Sequence, residues 1–200
     1  MNMEEATLDS ARQENVERIL GSAERLFRHY GYGKTTVADI ARDLGMSPAN
    51  VYRFFASKEQ IHQAICGRML AASLHLAIGI AKLPLTATER LRRCILEQHR
   101  LTKETMLDEQ KVHEMVIVAI ERDWHVIEKH VDRLHQIYAG LIREGIETGE
   151  FRQQDLDSAA RCFGASTAAL CHPQMVAQCL AKDNRAGPEE LVDFTIRALK

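Results

Sequence analysis

The sequence predicts an all-α protein. Three observations predict it. No strand-like alternation persists anywhere in the 200 residues, whereas apolar residues recur at steps of three and four along most of the chain. Three helix-start signals crowd between Thr36 and Ser57, denser than ordinary helix spacing. The composition, 46% hydrophobic and 27% charged, is that of a globular chain long enough for one large domain or two small ones.

The first residues, "MNMEEATLDSARQEN", are polar and acidic and lack the basic and apolar regions of a secretion signal. Residues 1–13 are expected to be a disordered arm. From residue 14 to 30, Val16, Leu20, Ala23, Phe27 and Tyr30 make one apolar helix face, which "GYG" at 31–33 ends. Thr36 with Asp39 has capping-box spacing, and Val37, Ile40, Ala41 and Leu44 form the buried stripe of a short helix. Gly45 supplies a turn. Ser47 caps a second short helix, with Pro48 at its first position, where a missing N–H costs nothing, and with Val51 and Phe55 pointing inward. Ser57 with Gln60 starts a third helix, which runs to about Lys82. Its run "MLAASLHLAIGIA", residues 69–81, is too short for a membrane span and reads as a buried helix.

"KLPLTAT" breaks the chain after that. Helices are expected at about 86–104, 108–118, 120–149, 155–172 and 188–199, with a short piece after Pro173. "DNRAGPEE", residues 183–190, is a loop ending in a helix start at Pro188, Glu189 and Glu190. The five cysteines form no CxxC pair and sit in apolar helical contexts, so buried free thiols of a reducing cytoplasm are expected.

Helix, tight glycine turn and helix over residues 36–55 make a helix-turn-helix. DNA-binding domains have this pattern, and so do small helical bundles with no DNA role. The second short helix presents Ala49, Asn50 and Arg53 away from Val51 and Phe55. Asn pairs with adenine and Arg with guanine in the major groove, and small Ala49 permits close approach, as to a thymine methyl. Tyr52 offers a hydroxyl to a phosphate. Lys58 opposes the dipole at the start of its helix, an arrangement that a bound phosphate would complete. The net charge is −2, so an anion-binding face must be local. Between Arg25 and Lys58 six basic residues stand against two acidic ones, a local excess of four.

"GYGKTTVADIARDLGMSPANVYRFFASKEQI" resembles the DNA-binding region of the TetR family of bacterial transcriptional regulators. The resemblance rests on Gly31-Tyr32, Thr36-Val37, Ile40-Ala41, Gly45-Met46-Ser47, Tyr52, Phe55 and Ser57-Lys58-Glu59, and covers about residues 14–65. It implies a helix-turn-helix domain over 14–60 and a C-terminal ligand-binding and dimerisation domain over 61–200. It further implies a homodimeric, usually repressing regulator, released from an inverted-repeat operator by a small effector, here expected to be lipophilic. Under it Thr36 is a phosphate contact, Ser47, Ala49, Asn50 and Arg53 meet the bases, and Tyr52 and Lys58 meet the backbone. Phe54 departs from the pattern, which often has a polar residue there. The dimer is expected through helices at about 155–172 and 188–199, the first rich in Ala, Ser and Gly.

Candidate effector-pocket residues are Met69, Ser73, Met106, His113, Ile117, Trp124, Tyr138 and Phe163, each of which taken singly reads as plain core before it reads as pocket lining. His125, His130 and His135 turn about 140° from one to the next on a helix and share no face, so no metal site is expected. Cys171-His172 with Cys179 has no zinc-site spacing. No GxSxG, P-loop, HExxH or GxGxxG motif occurs, and neither an enzyme nor a cofactor is expected. An effector-binding protein without operator binding, and a regulator that activates, remain alternatives.

Overall fold

A computed structural model of the chain describes residues 3–106, 118, 124–180 and 186–200. Among these all regular structure is helical: α1 Met3–Tyr30, α2 Val37–Asp43, α3 Pro48–Tyr52, α4 Lys58–Ala81, α5 Ala87–Met106, α6 Trp124–Glu147, α7 Leu156–Cys171, α8 Pro173–Leu180 and α9 Pro188–Arg197. The helix expected at 108–118 lies outside the described residues except for Val118. The described residues fall into two compact units, residues 3–68 with Val118 in the first and residues 69–106, 124–180 and 186–200 in the second.

In the first unit, α1 begins at Met3 rather than at residue 14, so the expected disordered arm is helical from there on. Residues 10–14, whose side chains are described, are all exposed, so no apolar stripe marks this part of the helix in the sequence. Ile19, Leu20, Ala23 and Phe27 are buried, whereas Tyr30, expected on that face, is 54% exposed. The cause is the helix end: Gly31, at φ +91°, turns the chain away, and Tyr30 packs edge-on against His29. Val37, Ile40 and Ala41 of α2 and Val51 of α3 complete this core, with Phe55, Ile61 and Ile65. Gly45, at φ +65°, makes the turn between α2 and α3.

The run at 69–81 is helical, but it is not a buried helix. Ala77 and Ile80 are buried, while Ala71, Ala72, His75 and Ile78 are exposed. Taken whole, Lys58–Ala81 is long and apolar enough to cross a membrane by length and composition. Its first turns, however, pack Ile61, His62 and Ile65 into the first unit's core, and Arg68 there pairs with Glu17 and Glu24 of α1.

The second unit packs α5 against α6, α7 and α9 around Leu91, Ile95, Tyr138, Leu141, Ile142, Phe163, Val192 and Ile196. Gly145 lies against the Phe151 ring, where a Cβ would come within 2.2 Å. Glu150 accepts the amides of Ala87 and Thr88, both at 3.0 Å, and so caps α5 from the far end of α6. Cys94 is buried and Cys66 and Cys171 half-buried, but Cys162 is exposed on α7, contrary to expectation. It lies outside the stripe of Ala159, Ala160, Phe163 and Thr167, which are buried. Burial pushes the Cys94 and Cys171 thiols up to about 12.

Candidate nucleic-acid interface

The helix-turn-helix is fixed by its caps. The Thr36 hydroxyl accepts the Asp39 amide at 3.2 Å, and the Asp39 carboxylate accepts the Thr36 amide at 3.0 Å and its hydroxyl at 2.6 Å. The Thr36 hydroxyl and amide hold the Asp39 carboxyl below the usual carboxylate range. Ser47 accepts the Asn50 amide at 3.3 Å, and Pro48 opens α3. Ser57 accepts the Gln60 amide at 3.3 Å, and the Gln60 side chain in turn accepts the Ala56 amide at 2.8 Å. Each start satisfies amides that a helix leaves unpaired, which lets three short turns follow one another tightly.

This arrangement gives α3 two faces. Val51 is fully buried and Phe55 nearly so, whereas Ser47, Ala49, Tyr52 and Arg53 are exposed and Asn50 is half-buried. Tyr52, at 51% exposure, sets its ring at the surface. Thr36 is exposed at the start of α2. The expected contacts Thr36, Ser47, Ala49, Tyr52 and Arg53 are thus open to solvent, and Asn50 is partly so.

Two features differ from the sequence reading. Lys58 does not hold its ammonium free for a phosphate. Its Nζ donates to the carbonyls of Tyr32 and Thr35 at 2.9 and 3.1 Å and sits 4.2 Å from the centre of the Tyr32 ring. Sequence spacing could not show this, because the partners lie 26 and 23 residues away. The basic patch is also smaller than the residue count suggests. Arg25 pairs with Asp43 at 2.8 Å, Arg42 with Asp39 at 3.0 Å, and Arg28 with Glu24 at 3.1 Å. Among the described residues Lys34 and Arg53 form no ion pair, which leaves them as uncommitted cations of the motif.

In the second unit the structure brings Ser73, Tyr138 and Phe163 into one cluster. Its hub, Gln98, was not singled out from the sequence. Buried Gln98 donates to the Tyr138 hydroxyl at 3.1 Å and accepts from Ser73 at 3.2 Å, and the Phe163 ring meets Tyr138 edge-on at 5.2 Å. A buried glutamine on α5 is signalled only by its place on the apolar stripe with Leu91, Cys94 and Ile95. Burial pushes the Tyr138 hydroxyl far above its usual range. Met69 is half-buried at the start of this unit. Met106 and Trp124 end and begin described helices, but their side chains are outside the described residues, as are His113 and Ile117 entirely. An open cavity of about 500 Å³ lies elsewhere, lined by Pro84, Leu85, Ala87, Arg90, Glu144 and Glu150 among others, and involves none of the expected pocket residues.

Residues 19–65 match the family described as bacterial regulatory proteins, tetR family, and residues 87–192 match the tetracyclin repressor-like C-terminal domain. The HTH-type transcriptional regulator YfiR of Bacillus subtilis (strain 168) is 25% identical over 154 residues, which is 72% of each chain. The TetR family regulator PfmR of Thermus thermophilus is 27% identical, with a TM-score of 0.62, over 92% of this chain and 99% of that one. A transcriptional regulator of Cytophaga hutchinsonii superposes with a TM-score of 0.71 at 19% identity, over 92% and 98%.

Proposed function

The chain belongs to the TetR family of bacterial transcriptional regulators, which act by binding DNA and are not enzymes, and from that premise we propose that it is a repressor released from its operator by a small molecule. The observation that carries the reading is the division of α3 and the residues just after it into a buried side, Val51 with Phe55, and an exposed side bearing Ala49, Tyr52 and Arg53, which forms no ion pair among the described residues. A recognition helix needs both: an anchor that fixes its orientation, and side chains that reach base edges.

In this reading Ser47, Ala49, Asn50 and Arg53 meet the bases, and Thr36 and Tyr52 meet phosphates. Lys58 acts by holding the Gly31–Thr36 turn against α4 rather than by donating its charge to DNA. The motif spans about residues 14–60, within the first unit. The operator is an inverted repeat, read by a homodimer whose recognition helices lie about 34–36 Å apart or a multiple of that. The dimer forms through α7 and α9, where Cys162 and Ala165 are exposed and Phe194 is 66% exposed.

The effector is small and largely apolar, received by the second unit near the Ser73–Gln98–Tyr138 line, which supplies polar handles in an otherwise apolar setting. It acts by binding the DNA-competent and DNA-incompetent states with different affinity, since equal affinity would shift nothing. Such a protein works in the cytoplasm.

Selection of bound duplexes from a random DNA library with the purified full-length protein tests the reading. An enriched inverted repeat is expected. No enrichment by a folded, dimeric protein would favour an effector-binding protein without operator binding.

A further inference from the structure

We propose that Arg12 is an additional phosphate-contacting residue of the DNA interface, and that Phe54 is the side chain that holds it there; this rests on the DNA-binding reading above. Phe54 follows Arg53, the C-cap of α3, and is half-buried. The Arg12 guanidinium lies over its ring, 5.8 Å from the centroid. These residues are far apart in sequence. They meet because α1 starts at Met3 and runs unbroken into the stretch that buries Ile19, Leu20, Ala23 and Phe27.

The contact is unlike those of four other arginines around this motif. Arg25, Arg28, Arg42 and Arg68 all lie against carboxylates. Among the described residues Arg12 forms no ion pair, and its one recorded side-chain partner is a ring. A ring face attracts the guanidinium without consuming its in-plane N–H groups, so the charge and the donor fork remain available. A guanidinium in that state, exposed and held over a ring whose chain neighbour is the base-reading Arg53, suits the anionic backbone beside the groove. Phe54 itself cannot bond a phosphate. Its ring instead brings to the interface a cation from the N-terminal part of α1, a segment otherwise remote from α3 in the chain.

The test is the salt dependence of affinity for the selected duplex, measured with the full-length protein. Arg12→Ala is expected to reduce the slope of log affinity against log salt by about 0.9 for each bound subunit. Phe54→Leu keeps an apolar side chain and removes no charge, yet is expected to lose most of the same slope. The double variant is expected to lose no more than Arg12→Ala alone, whereas Phe54→Tyr, which keeps the ring, and Arg12→Lys are expected to retain the slope. Thermal midpoints of Phe54→Tyr and Phe54→Leu are measured alongside, which separates a folding defect from the loss of the platform. Salt-dependent binding with an unchanged slope in Arg12→Ala overturns the proposal alone, and a full slope in Phe54→Leu overturns the role of the ring. A wild-type protein with no salt-dependent duplex binding overturns the DNA-binding reading and this proposal together.

Discussion

The ammonium of Lys58 sits 4.2 Å from the centre of the Tyr32 ring, at the first residue of α4. With its hydrogen bonds to the Tyr32 and Thr35 carbonyls it ties the turn that follows α1 to the helix that follows α3. Lys58→Ala is therefore expected to lower stability by about 1.5–3 kcal/mol, the usual value of hydrogen bonds from a charged donor. It is expected to weaken duplex binding through that loss of order, with the salt slope unchanged. Denaturant titration and binding at several salt concentrations check both. A slope reduced by about one would make Lys58 a phosphate contact instead.

Tyr138 joins the polar line in the second unit. Tyr138→Phe leaves the buried Gln98 amide donor without its partner at 3.1 Å, and an unsatisfied buried donor costs about 1–3 kcal/mol. Urea unfolding is expected to show that loss. No change in midpoint would mean that Gln98 finds another acceptor.

Glu150 makes acid sensitivity predictable. Burial raises the carboxyl's pKa, but the amides of Thr88 and Ala87 outweigh it and leave the value lowered. A lowered folded value means that the stabilisation is complete above the unfolded value of about 4.3 and is lost as pH falls through the folded one. The stability gap between wild type and Glu150→Gln is expected to be constant near neutral pH and to shrink below about pH 4. A gap that stays constant into acid would contradict this cap.

Phe194 is 66% exposed on α9, a large ring in water. Phe194→Asp is expected to yield a folded monomer by sedimentation, with operator affinity lost because two half-sites need two subunits. A variant that stays dimeric would move the interface off α9.

The helix starts were legible because capping is local: Thr36, Ser47 and Ser57 each act on an amide three residues on. So was the buried side of α3, since Val51 and Phe55 follow helical spacing. Contacts between distant segments were not. Nothing in the sequence links Lys58 to Tyr32, Arg12 to Phe54 or Gln98 to Tyr138, and the charge excess counted along the chain ignored that Arg25, Arg28 and Arg42 would find carboxylates. The early start of α1 was missed because residues 10–13 are exposed and leave no apolar stripe to read.

The central claim, that the exposed side of α3 reads bases, is tested most directly by comparing wild type with Arg53→Ala on the selected duplex and on its single-base variants. The account predicts a loss of about 1–3 kcal/mol on the selected duplex, with discrimination relaxed at one base pair in each half-site and preserved elsewhere. An equal loss on every duplex, with discrimination intact at all positions, would show that Arg53 touches only the backbone and would contradict the account.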